Sequence, residues 1–144
     1  MKSARSGNGL AARHLRLDSA PKESGCPIER RLRQLPPAEI LLCAVVKAEL
    51  WHGAHKYGRR ERRFVALKKM FHPFVSVPFD DAAARHYAVI RHELESRDLL
   101  IGPNDLKIAA ICLAHGLTLV SSNTKEFSRV SGLKVEDWVL RIED

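Results

Sequence analysis

The chain has 144 residues, 45% of them hydrophobic, with a net charge of +7 and three cysteines. That length supports one domain around a single core and is too short for two full ones. Three widely spaced cysteines argue against a disulfide framework or a zinc knuckle, and no run approaches the roughly 18 apolar residues of a membrane span.

Residues 1–37 hold 8 Lys and Arg against 3 Asp and Glu, so most of the positive charge belongs to this segment. It has no aromatic residue and carries scattered Gly and Pro, a composition that predicts a loosely docked segment over 1–29 ahead of a domain over 30–144. The first residues lack the apolar block of a secretory signal, so a soluble cytoplasmic protein is expected. Within the segment, HLRLDS (14–19) predicts a weak strand ending at Asp18, and 28–35 a short helix stopped by Pro36 and Pro37.

After Pro37 the apolar run 40–44 predicts a buried strand, followed by a helix over 46–56 that carries Glu49. A second helix is expected over 59–71, with Phe64, Leu67 and Phe71 on one face. Its Arg59, Arg60, Arg62, Arg63, Lys68 and Lys69 form either a solvated face or a phosphate contact. Residues 74–79 predict a strand. Asp80 or Asp81 caps a helix reaching residue 97, with Ala83, Tyr87, Ile90 and Leu94 as its buried stripe. Pro103, Asn104 and Asp105 open an almost wholly apolar helix that His115 and Gly116 close. A strand over 117–121, a polar loop over 122–132 and a short strand over 133–138 complete the chain. Apolar strands alternating with helices predict an α/β fold: a parallel sheet covered by helices on both faces, its first strand resting on 14–19.

Ligands of such sheets gather outside the carboxyl ends of the strands, where Glu49, Asp105 and Asn123 fall, with Asp18 joining them if 14–19 is a strand. Asp105 in a first helical turn either stabilises that turn or ligates a metal. Converging carboxyl and amide oxygens suit a hard cation, Mg2+ or Mn2+, able to assist phosphodiester hydrolysis. The Glu49 and His52 pair has no second E-x-x-H element, which removes a di-iron bundle. Phosphate-binding glycine loops and a nucleophile elbow at Ser121 are absent.

The segments AELWHG (48–53), PFDDAAARHYAVIRHEL (78–94), IGPNDLKIAA (101–110) and LVSSNTKEFSRVSGLKVEDW (119–138) together resemble the VapC toxins of bacterial toxin–antitoxin pairs, which carry the PIN nuclease fold. The resemblance implies an Mg2+-dependent endoribonuclease toxin, a VapB-like antitoxin partner, an RNA substrate and a homodimer. It matches Glu49 to the glutamate of the family's A-E-L motif and Asp105 to the aspartate of its G-P-x-D motif. Asn123 falls at a loop position where members carry Asp or Asn, with Glu126 beside it as a supporting residue. The family opens on an apolar strand ending in an L-D-T-N type motif. Here the echo is LDSA (17–20), which implies an atypical, replaced or frameshifted start with Asp18 standing in for the first metal-binding carboxylate. The alternative is a degenerate, inactive domain that keeps antitoxin binding or dimerisation.

Overall fold

Runs of two to four residues make every strand of the sheet. In the computed structural model, which describes residues 10–12, 37–56 and 58–137, these are β1 (Leu10–Ala12), β2 (Ile40–Cys43), β3 (Val75–Val77), β4 (Thr118–Val120) and β5 (Val135–Glu136). All pair in parallel, in the order β3-β2-β1-β4-β5. The expected parallel α/β sheet is therefore present, and the chain crosses from one side of β1 to the other between β3 and β4.

The strand expected over 14–19 lies outside the described residues, as do the helix over 28–35 and Trp138. The central strand instead comes from Leu10–Ala12, which sets Leu10 level with both Ile40 and Thr118. A segment read as lying ahead of the domain thus supplies the middle of its sheet. Leu-Ala-Ala is too short to show a period, and alanine has little intrinsic preference for strand; pairing on both sides overrides that weakness.

Five helices cover the sheet among the described residues: α1 (Ala44–Lys56), α2 (Arg60–Phe71), α3 (Asp81–Ser96), α4 (Pro103–His115) and α5 (Thr124–Phe127). Side chains alternate across β2, so Leu41 and Cys43 join one apolar cluster while Leu42 joins another. The first cluster is the main core, where Ile108, Ala109, Ala110, Ile111 and Cys112 of α4 meet Ala83, Ile90 and Leu94 of α3. The second holds Ala54, Leu67 and Phe71 between α1 and α2, with the Trp51 ring 5.3 Å from Phe64 and 5.5 Å from Phe71.

Helix ends follow their local chemistry. Asp80 accepts a hydrogen bond from the Ala83 N–H at 2.9 Å and starts α3. Gly116, at φ 62°, closes α4 in the left-handed conformation, and the Leu117 N–H returns to the Cys112 carbonyl at 2.8 Å. The polar loop expected over 122–132 holds the single turn α5, a helix too short for any apolar period to reveal.

Candidate functional site

Because α4 runs back along the sheet before turning at Gly116 into β4, its first turn lies at the carboxyl edge of the strands. Pro103 occupies an opening position that has no N–H to satisfy, and Gly102 before it makes no side-chain cap. Asp105 then places its carboxylate in the turn whose free N–H groups favour negative charge. The side chain is only 7% exposed, although the helix around it is almost entirely apolar. A carboxyl group so deep at the rim of a core requires polar company.

Part of that company comes from the loop leaving β4. Asn123 Nδ2 stands 3.1 Å from Glu126 Oε2 and 3.5 Å from Asp105 Oδ2, so one amide faces two carboxylates. The Asn123 backbone N–H donates to Ser121 Oγ at 3.0 Å, and Ser121 is itself buried. The structure thus brings together Asp105, Asn123 and Glu126. Spacing alone did not reveal the part played by Ser121; its position directly after an apolar strand was the available signal.

Glu49 lies on α1, half-buried, one turn beyond Val45, which packs on the main core. Among the described residues no three His, Cys, Asp or Glu side chains gather to hold a metal ion, so Glu49 closes no triad with Asp105 and Glu126. Asp18 lies outside the described residues. His52 and His55 are exposed, and His55 stacks edge-on against Phe64 at 4.9 Å, away from any ligand role.

In kind, the two carboxylates at the rim suit a hard divalent cation, while the Asn123 amide meets them through its nitrogen. Two carboxylates suffice for an ion such as Mg2+ that retains several of its waters. Cys43 and Cys112 are buried, and burial, with Cys43 adding a smaller effect, pushes the Cys112 thiol up to about 12. At the far end of α4, His115 Nε2 lies 3.0 Å from Asp80 Oδ2 and ties the helix to the cap of α3.

Comparison with known proteins adds to this geometry. Residues 22–133 match the PIN domain family. The chain is 35% identical over 101 residues to ribonuclease VapC2 of Haemophilus influenzae, covering 70% of this chain and 76% of that protein. It is 36% identical over 104 residues to the tRNA(fMet)-specific endonuclease VapC of Shigella flexneri, covering 72% and 79%. Among solved structures, VapBC2 from Rickettsia felis bound to a DNA fragment from its promoter superposes with a TM-score of 0.81 at 29% identity, over 90% of this chain and 98% of that one. DNA-bound VapBC from Salmonella typhimurium gives a TM-score of 0.80 at 26% identity, over 90% and 97%.

Proposed function

Since the chain belongs to the PIN-domain family, among its VapC ribonucleases, we propose that it is an endoribonuclease toxin that hydrolyses RNA phosphodiesters at an Mg2+ or Mn2+ centre on the carboxyl rim of its sheet. The observation that carries this reading is the buried Asp105 carboxylate facing Asn123 and Glu126 where the strands end.

Asp105 is the principal ligand, fixed by the first turn of α4, and Glu126 and Asn123 complete the inner rim. Among the described residues Glu49 on α1 joins no group of three with them, and the variants below test whether it and Asp18 contribute to the centre. When bound, a divalent cation neutralises charge on the phosphoryl oxygens and lowers the pKa of a coordinated water. The protein's own contribution is to hold its oxygens in place before substrate arrives, which avoids reorganisation during the reaction. Arg60, Arg62, Lys68 and Lys69 are exposed on α2 and available to an RNA backbone.

The solved relatives are VapBC complexes, and on that footing the partner of this chain is a VapB-like antitoxin; a homodimer in the cytoplasm is the working form proposed with it. Among the described residues no helix is long and apolar enough to cross a membrane.

The test is cleavage of RNA by the wild-type chain and by Asp105→Asn, Glu49→Gln and Asp18→Asn, with Mn2+ or Mg2+ and with EDTA. Activity should require the cation and fall about 100-fold or more in Asp105→Asn, in line with the loss of a principal electrostatic group. A second reading, a domain that binds its partner without cleaving, is favoured by the missing third carboxylate among the described residues. Equal background cleavage by all four chains would establish it. Full activity in Asp18→Asn alone would remove Asp18 from the centre.

A further inference from the structure

We infer that the outer face of α2 is the surface on which the phosphate backbone of an RNA strand lies. This rests on the ribonuclease reading above and names where the substrate is held, apart from the carboxylates.

Beyond residue 37 the small net charge conceals a separation. Residues 44–72, which span α1, α2 and the turn between them, hold 8 Lys and Arg against 2 Glu. Residues 73–144 hold 8 Lys and Arg against 11 Asp and Glu. The positive charge of the helical pair is therefore local. Buried Leu67 and Phe71, with half-buried Phe64 against Trp51, turn one side of α2 inward. Arg62, Val65, Ala66 and Lys69 are exposed along the opposite side, and Arg60 and Lys68 are exposed beside them.

The helix does not neutralise these cations itself. No acidic residue stands three or four places from Arg60, Arg62, Lys68 or Lys69, the spacings at which a helix pairs its own charges. On α3 the opposite holds: Arg91 meets Glu95 at 2.7 Å, and Arg97 lies 3.7 Å from Glu93. Arg63 serves the fold, its Nε donating to the Gly58 carbonyl at 3.1 Å beside the turn that Arg59 makes at φ 62°. Like charges gathered on one short helix repel, and a bound polyanion relieves them.

What the face lacks selects the occupant. A partner helix docks through several apolar anchors at spacings of three and four, yet Val65 is the one large apolar side chain exposed on α2. A phosphate backbone needs cations alone. Arg62 and Lys69, two turns apart, stand about 10 Å from each other along the helix axis and so reach separate phosphates. α1, on which α2 packs, starts at the carboxyl end of β2, the same edge of the sheet that carries Asp105.

The test measures binding of a fluorescently labelled single-stranded RNA in EDTA across a range of salt, with folding checked by melting curves. Three chains are compared: the wild type, Arg62→Gln with Lys69→Gln, and Arg91→Gln with Arg97→Gln, which removes the same charge from α3. The α2 variant should bind about tenfold more weakly near physiological salt, and its slope of log affinity on log salt should be shallower by about 1.4. The α3 variant should keep the wild-type slope. Equal losses in both variants would show that net charge alone governs binding and would overturn the inference, as would an α2 variant that binds like wild type or a wild-type chain that binds no RNA at low salt. Loss of poly-L-glutamate binding in the α2 variant with RNA binding intact would assign the face to an acidic polypeptide and overturn it too. RNA held through α2 but cleaved by no chain once Mn2+ replaces EDTA would uphold this surface and remove the nuclease reading.

Discussion

Asp105 was legible as a candidate because Pro103 and Asn104 mark a helix start and the apolar run behind them marks a buried helix. Its neighbours were less so. Asn123 and Glu126 are three residues apart, which brings them near each other, but nothing in the sequence tells that the Asn123 amide also turns toward a carboxylate 18 residues upstream. Glu49 shows the converse: a motif fixes its place on α1 and leaves its separation from Asp105 open. Asp80 offers a test away from the rim. The Ala83 N–H that it accepts holds its carboxyl below the ordinary value of 3.8, with His115 nearby adding a smaller effect in the same direction. A carboxyl depressed in the folded state stabilises it above the ordinary value, and that contribution is lost as pH falls through the depressed one. Asp80→Ala should therefore melt below wild type at neutral pH, and the gap should close as the pH is taken below 3.8. A gap unchanged between neutral and acid pH would assign the effect to something other than this carboxylate.

The α4 helix could be read in advance from end to end, since its Pro start, apolar body and His-Gly stop agree at every level. β1 and α5 could not be read, because three and four residues carry too little pattern for periodicity to act on; partners distant in sequence create them. Two glycines separate local from tertiary control in the helices. Gly116 sits at φ 62° with open space around its α-carbon, so Gly116→Ala meets only the left-handed backbone penalty and should cost about 1–2 kcal/mol. Gly53 lies within α1, likewise with nothing near its α-carbon, and Gly53→Ala should stabilise by about 0.4–1 kcal/mol. Urea midpoints should shift in opposite directions, and a shared sign would show that helix packing, not backbone preference, governs one of the two sites.

Across the whole molecule, the order β3-β2-β1-β4-β5 makes β1 the strand from which the chain builds outward on both sides. Such a reversal opens a crevice at the carboxyl edge, and the first turn of α4 and the loop after β4 meet there. The apolar strands and alternating helices announced this layout, while the source of its central strand stayed hidden in a basic, aromatic-free segment. Both outer strands, β3 and β5, are only three and two residues long, which leaves little edge for unwanted pairing. Most of the net charge of +7 lies in residues 1–37, while the proposed chemistry rests on a small carboxylate rim. Titration of the wild-type chain and of Asp105→Asn with Mn2+, followed by the paramagnetic signal of the free ion, addresses that dependence directly. The wild-type chain should take up the ion saturably, and Asp105→Asn, if still folded by its melting curve, should lose that uptake. Equal uptake by both chains, or none by the wild type at millimolar Mn2+, would contradict a metal centre built on Asp105.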